Sequence, residues 1–62
     1  MERNEIIGNM YLKGLTTTKI ARQLKRSAPS VSNVISKKFK SKKIANYIAK
    51  HIGCKREEIF GY

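Results

Sequence analysis

The chain has sixty-two residues, with fourteen Lys and Arg, four Asp and Glu and one cysteine, and it forms one small basic domain over residues 1–62. A chain of this length buries only about 60% of the surface that it exposes when unfolded. That core is too small to surround a deep catalytic cleft, and one cysteine excludes an intramolecular disulfide. The formal net charge is +10, with no Asp or Glu between residues 6 and 56, and such a one-sign field destabilises a chain unless its partner is a polyanion.

The first predicted helix covers residues 3–13. Its apolar residues recur at helical spacing and predict one buried face. These residues are Ile6, Ile7, Met10 and Tyr11. Gly14 follows as the stop signal, so we expect the first helix to end there.

The second predicted helix begins after Thr16, whose hydroxyl can accept an N–H of the first turn. Leu15 and Ile20 stand on either side of this cap, at the two positions that form a hydrophobic staple. The buried stripe is predicted to consist of Ile20, Ala21 and Leu24. Only residues 25–26 then remain for a turn before the next cap, Ser27.

A third helix is predicted over residues 28–36. Ser27 is its N-cap, and Pro29 lies in the first turn, where a missing N–H has no energetic cost. The inward face is predicted from helical spacing as Val31, Val34 and Ile35. The opposite face, called the outward face below, carries only small or short polar side chains: Ala28, Pro29, Ser32, Asn33 and Ser36.

The basic tract "SKKFKSKK" separates the third helix from a fourth, which Ser41 caps and Gly53 ends. The predicted buried stripe of the fourth helix is Ile44, Ala45, Ile48, Ala49 and Ile52. The segment "KREEIF" predicts a last helical turn that places Ile59 and Phe60 in the same core. No segment alternates with period two, so the sequence predicts an all-α domain of five short helices.

The aromatic residues allow more than one interpretation. Phe39, within the basic tract, is expected to pin that tract to the core, with stacking on unpaired bases as the alternative. Tyr11 and Tyr47 are expected to be buried or half-buried. A second hypothesis for the C-terminal apolar residues is an exposed patch for self-association, made by Ile59, Phe60 and Tyr62.

Several other functions are disfavoured. His51 and Cys54 are three residues apart without companion ligands, so we expect no metal and no cofactor. The single His has no evident nucleophile or carboxylate partner, which disfavours an enzyme.

The sequence also disfavours a membrane protein. No apolar run is close to the length of a membrane span, about twenty residues, and no secretory segment opens the chain. With a single cysteine and no such segment, we expect an intracellular location. A membrane-active peptide is disfavoured because the chain is divided into short helices with narrow apolar stripes by Gly8, Gly14, Pro29 and Gly53.

The second and third predicted helices together fit a helix-turn-helix motif over residues 17–36. In this motif the second helix enters the major groove of DNA and the first braces it across the backbone. If Thr17 is the first position, small or apolar residues occupy the fourth, fifth, eighth, fifteenth and eighteenth positions, where the two helices contact each other and the core. These residues are Ile20, Ala21, Leu24, Val31 and Val34.

This segment resembles the lambda-repressor-like helix-turn-helix domains, and "IANYIAKHIGCKREEIF" resembles the last two helices of that five-helix fold. The chain is most similar to the Ner-like regulators of transposable phages, in which a basic stretch with an aromatic, a helix and an "EEI-aromatic" ending follow the motif. The resemblance covers Leu12 to Tyr62. At the ninth motif position, Lys25 replaces the glycine usual in the family, which implies either strain or a different turn.

The resemblance implies a phage or prophage transcriptional regulator in the bacterial cytoplasm at the nucleoid, acting as a repressor, with activation as the alternative. The sequence shows no effector pocket, so we expect control by protein concentration without a small-molecule effector. Its partner is a double-stranded DNA operator, on which a homodimer is expected. The alternative is a protein that binds nucleic acid without sequence specificity, either RNA or packaged nucleoid DNA.

On the DNA interpretation, the outward face supplies the candidate base contacts: Ala28, Pro29, Ser32, Asn33 and Ser36. Asn33 can bond an adenine edge, and Ala28 or Pro29 can touch a thymine methyl, so we expect a preference for A·T pairs. The candidate phosphate contacts are Thr17, Lys19, Arg22, Lys25, Arg26, Ser27, Lys37, Lys38, Lys40, Lys42 and Lys43. In this list Thr17 and Ser27 contribute backbone N–H groups at helix starts.

Overall fold

Five helices and their short connections make up the chain in a computed structural model that describes residues 1–62. They are α1 (Arg3–Leu12), α2 (Thr17–Leu24), α3 (Ala28–Ile35), α4 (Lys42–Ile52) and α5 (Arg56–Phe60). The prediction of an all-α chain with five short helices is confirmed. Two predicted ends are one residue too long, because Lys13 and Ser36 cap α1 and α3 rather than belonging to them.

Side-chain hydroxyls start three of the helices, as the sequence predicts. Each accepts a backbone N–H of its first turn: Thr16 from Lys19 at 3.1 Å, Ser27 from Ser30 at 3.3 Å and Ser41 from Ile44 at 3.4 Å. Helix α1 starts differently, with a capping box between Glu2 and Glu5. These caps satisfy N–H groups that a helix start leaves without a backbone partner.

One hydrophobic core joins all five helices. Its buried side chains are Ile6, Met10, Leu15, Ile20, Ala21, Val31, Val34, Ile35, Ile44, Ala45, Ile48, Ala49, Ile52, Ile59 and Phe60. Helix α4 contacts each of the other four helices, and α2 packs mainly against α3. Leu24 is only half-buried at the edge of this core. The inward face of α3 is therefore fixed by the core, which leaves its opposite face toward solvent.

Two aromatic residues do not lie where the sequence places them. Tyr11 is 78% exposed and Phe39 is 59% exposed, so the core interpretation is wrong for both. Helix α1 buries a narrower stripe than its four apolar residues suggest, centred on Ile6 and Met10. Phe39 follows a left-handed residue, Lys37, in the connection to α4, and the chain there does not turn its ring inward.

The C-terminal residues contribute to the core instead of an exposed patch. Ile59 is 0% and Phe60 6% exposed, so the self-association patch proposed for them is wrong. The half-buried Tyr62 is also engaged, because its hydroxyl accepts the backbone N–H of Ser41 at 3.0 Å. Tyr47 is half-buried as predicted, and it stacks on His51 with ring centroids 4.2 Å apart. None of the helices is both long enough and apolar enough to span a lipid bilayer.

Candidate nucleic-acid interface

The outward face of α3 consists of small side chains on a helix whose other face is fully buried. Val31, Val34 and Ile35 are each at most 1% exposed. Among the predicted base contacts, Ala28, Pro29 and Asn33 are exposed. The remaining two, Ser32 and Ser36, are half-buried. The centre of the outward face is thus accessible, and the two serines form its edge.

That edge of α3 meets α1. The Nε–H of Arg3 donates to Oγ of Ser36 at 3.0 Å, although the two residues are 33 positions apart in the chain. A groove of about 290 Å³ runs between α1, the start of α2 and α3, and it is lined by Arg3, Thr17 and Ser32 among others. An arginine that the sequence analysis did not assign to the site therefore lies beside the outward face.

The turn between α2 and α3 is left-handed at Lys25, with φ 55° and ψ 46°. The N–H groups of Lys25 and Arg26 both donate to the carbonyl oxygen of Ala21, and the second bond is 2.8 Å long. Lys25 thus adopts the conformation that glycine would favour, so of the two expected alternatives the structure has the strained residue and not a different turn. Left-handed backbone is strained for a residue with a Cβ, by about 1–2 kcal/mol.

A second left-handed lysine follows α3. Lys37 has φ 63°, and no other non-glycine residue except Lys25 has a positive φ. The N–H of Lys37 donates to the carbonyl of Val34 at 3.0 Å, and that of Lys38 to the carbonyl of Asn33 at 2.9 Å. This is the hydrogen-bond pattern of a Schellman motif, in which glycine is the usual left-handed residue. Lysines therefore occupy strained positions at both ends of α3.

The predicted phosphate contacts are accessible except for Thr17. All nine basic side chains among them are exposed, as is Ser27, whereas Thr17 is half-buried. Two of the lysines have partners within the protein: Nζ of Lys19 donates to the carbonyl of Gly14 at 3.0 Å, and Nζ of Lys40 lies 5.5 Å from the Tyr62 ring centroid. The remaining seven make no side-chain hydrogen bond.

No acidic side chain forms an ion pair with these cations. The single ion pair of the chain joins Arg56 to Glu57 at 4.0 Å, outside the predicted contacts. Arg56 also donates from Nε to the carbonyl of Tyr62 at 2.7 Å and from Nη1 to Oδ1 of Asn46 at 3.0 Å. It therefore fastens the C-terminal residues, whereas the cations around α3 have no acidic partner.

His51 and Cys54 form no site with other residues. The ring of His51 is exposed, with Nδ1 2.8 Å from the carbonyl of Tyr47, and Cys54 is a half-buried free thiol. No three His, Cys, Asp or Glu residues lie close enough together to hold a metal ion.

No family model, no curated protein and no solved structure matches the chain.

Proposed function

We propose that α2 and α3 act as a helix-turn-helix unit that binds double-stranded DNA, with α3 in the major groove. The observation that carries this proposal is the combination found at α3: a thin exposed face between two strained lysines. Both helices have eight residues, and residues 25–27 alone connect them. A major groove about 12 Å wide admits one helix, and short side chains allow that helix to approach the base edges closely.

The base contacts come from the accessible centre of the outward face. Asn33 bonds adenine through its amide, which offers a donor and an acceptor to N7 and N6. Ala28 and Pro29, in the first turn of α3, touch thymine methyl groups. Ser32 and Ser36 lie closer to α1 and contribute at the edge. Because each of these contacts is small, the expected preference is for A·T pairs and of modest strength.

Phosphate contacts come from the uncompensated cations around α3. Lys25 and Arg26 precede it, and Lys37 and Lys38 follow it. Lys40, Lys42 and Lys43 extend this positive region to the start of α4. Such contacts fix the position of a protein on the duplex without reading its sequence. If about five phosphates are neutralised, the affinity depends on roughly the 4.5th power of salt concentration, so a fourfold rise in salt weakens binding about 500-fold.

The biological role that fits this unit is transcriptional regulation, most simply repression by occupying an operator. The support is the resemblance to the Ner-like phage regulators noted above, together with the five-helix order of the chain. A single such unit reads few base pairs, so we propose that two copies bind adjacent half-sites. The proposed location is the bacterial nucleoid, and regulation depends on protein concentration rather than on a small-molecule effector.

A second candidate function is nucleic-acid binding without sequence specificity, and the exposure of Phe39 favours it. Its ring is 59% exposed between Lys38 and Lys40. Aromatic rings between cations are typical of surfaces on which unpaired bases stack. RNA or single-stranded DNA is then the expected ligand, and Asn33 has no special role.

Selection of bound duplexes from a random pool tests the first candidate. We expect an A·T-rich site with two related half-sites, and we expect Asn33→Ala to lose preference at one base pair of each half-site. Asn4→Ala is a matched control, because Asn4 is an exposed asparagine of α1 whose side chain makes no hydrogen bond. Tight, salt-dependent binding without an enriched site would favour the second candidate. No binding to any nucleic acid at low salt would refute both.

A further inference from the structure

The outward face of α3 has no arginine or lysine for guanine, and this absence bears on the proposed function. Guanine presents two acceptors, O6 and N7, in the major groove, and arginine or lysine is the common partner for both. The five residues of the outward face include neither. A protein that binds through α3 alone would therefore have only single serine hydroxyls for guanine and would favour A·T pairs.

Helix α1 brings an arginine to this face. Arg3 lies in the first turn of α1, and its Nε–H donates to Oγ of Ser36, the last residue of the outward face. Ser32, one helical turn earlier on the same side of α3, lines the same groove as Arg3. The arginine therefore runs along the edge of the outward face rather than away from it.

The guanidinium of Arg3 keeps its fork unoccupied. Nε is the single nitrogen with a partner, and neither Nη1 nor Nη2 makes a hydrogen bond within the protein. The neighbouring carboxylates do not pair with it, since the one ion pair of the chain lies at Arg56. The hydrogen bond at Nε holds the guanidinium in place and leaves the parallel N–H groups of Nη1 and Nη2 free. The spacing of these two N–H groups matches that of the two acceptors on a guanine edge. The Ser36 hydroxyl also reduces the side-chain freedom that binding would have to restrict.

We propose that Arg3 determines specificity by donating from Nη1 and Nη2 to O6 and N7 of a guanine, with Ser36 as its positioning residue. This inference depends on the proposed function, because it places the outward face of α3 in the major groove. It changes the expected site from A·T pairs alone to A·T pairs beside one G·C pair in each half-site. Helix α1 then joins α3 in reading the sequence.

Arg3→Lys tests this role, since lysine keeps the charge and removes the planar fork. On the selected site, the wild type should prefer the G·C pair over an A·T replacement by about tenfold or more. We expect Arg3→Lys to reduce this preference to about twofold or less while the salt dependence stays unchanged. Ser36→Ala should reduce the preference partly, and Ser36→Thr, which keeps a hydroxyl, should restore it. Arg3 is exposed, so thermal unfolding of Arg3→Lys should match that of the wild type; Ser36 is half-buried, so the unfolding of its variants is measured alongside binding.

Four results would overturn the inference, and they differ in what they leave of the proposed function. A selected site without a conserved G·C pair, or an Arg3→Lys variant with full preference, would remove Arg3 from base recognition and leave the proposed function intact. A uniform loss of affinity on all sequences in Arg3→Ala, which removes the charge, would make Arg3 a phosphate contact; Lys50→Ala, at an exposed lysine of α4, is the matched control for charge removal. Wild-type protein without any preferred site would overturn the proposed function and the inference together.

Discussion

Two segments of the chain contain an aromatic side chain close to a left-handed residue at a helix end, and they use this pair in opposite ways. At the end of α5, Phe60 is 6% exposed and the left-handed residue is Gly61, with φ 81°. After α3, Phe39 is 59% exposed and the left-handed residue is Lys37. The C-terminal segment buries its ring and uses the residue best suited to its backbone. The segment after α3 does neither.

The other helix ends also differ in whether the left-handed residue is glycine or lysine. Helix α4 also ends in a left-handed glycine, Gly53, with φ 85°, whereas the left-handed residue before α3 is Lys25. Strained lysines thus occur on both sides of α3 and nowhere else. The strain lowers the stability of a domain that is small and therefore marginal, and it lies only at the ends of α2 and α3. This pattern is typical of a surface whose side chains are selected for a partner rather than for the fold.

Of the substitutions proposed, truncation of the buried Phe60 side chain should lower the free energy of unfolding most. Phe60→Ala removes a buried core side chain of α5, the helix that packs against α4, and we expect the free energy of unfolding to fall by about 3–5 kcal/mol. Urea or thermal unfolding followed by circular dichroism measures the change. Phe60→Leu, which keeps most of the volume, should lose less than half as much. A loss below about 1 kcal/mol for the alanine variant would mean that the C-terminal segment does not hold the core.

A lysine placed at a glycine end should reproduce the strain found around α3. No atom lies within 4 Å of a Cβ added at Gly53, so only the backbone opposes a side chain there. We expect Gly53→Lys to lower the free energy of unfolding by about 1–2 kcal/mol. Gly53→Asn should cost less, because asparagine tolerates left-handed backbone better than other side chains do. Equal stability of all three proteins would show that the glycine and lysine ends are equivalent.

The reverse substitution should separate stability from binding. Lys37→Gly relieves the strain, and we expect it to raise the free energy of unfolding by about 0.5–1 kcal/mol. If Lys37 neutralises one phosphate, the same change lowers DNA affinity about eightfold at 0.1 M salt. Lys37→Ala should lose the affinity without gaining the stability, which distinguishes charge from backbone. Lys25→Gly should behave like Lys37→Gly, and unchanged affinity in both would contradict the phosphate role.

Truncation of the exposed Phe39 side chain should change the free energy of unfolding least. Phe39→Ala is expected to change the free energy of unfolding by less than about 0.5 kcal/mol, because the side chain contributes little to the core. Binding to duplex DNA should also change little. Binding to single-stranded DNA or RNA is measured alongside, and a selective loss there would favour base stacking and the second candidate function.

Local sequence signals predicted most of the fold. Capping hydroxyls at Thr16, Ser27 and Ser41 and the helical spacing of apolar residues depend on interactions within a few positions. These signals therefore predict the first and last residues of the helices to within one position. They also give the inward face of α3, and with it the exposed centre of the opposite face.

Properties that depend on packing between helices were predicted less well. Spacing placed Tyr11 on the apolar side of α1, but it does not tell how wide a stripe the neighbouring helices cover. The contact of Arg3 with Ser36 has no local signal, because the two residues meet only after α1 docks against α3. At Lys25 the short connection required a tight turn, and the residue type argued against the left-handed backbone that the structure has.

The scarcity of ion pairs has a consequence for how salt acts on this chain. With ten excess positive charges and a single pair at Arg56, the folded state repels itself, and added electrolyte should screen that repulsion and raise the melting temperature of the free protein. If the protein binds DNA as proposed, the same electrolyte weakens that binding. Melting temperatures of the protein without and with DNA should then converge as salt increases, because the free protein gains stability while the stabilisation by DNA decreases.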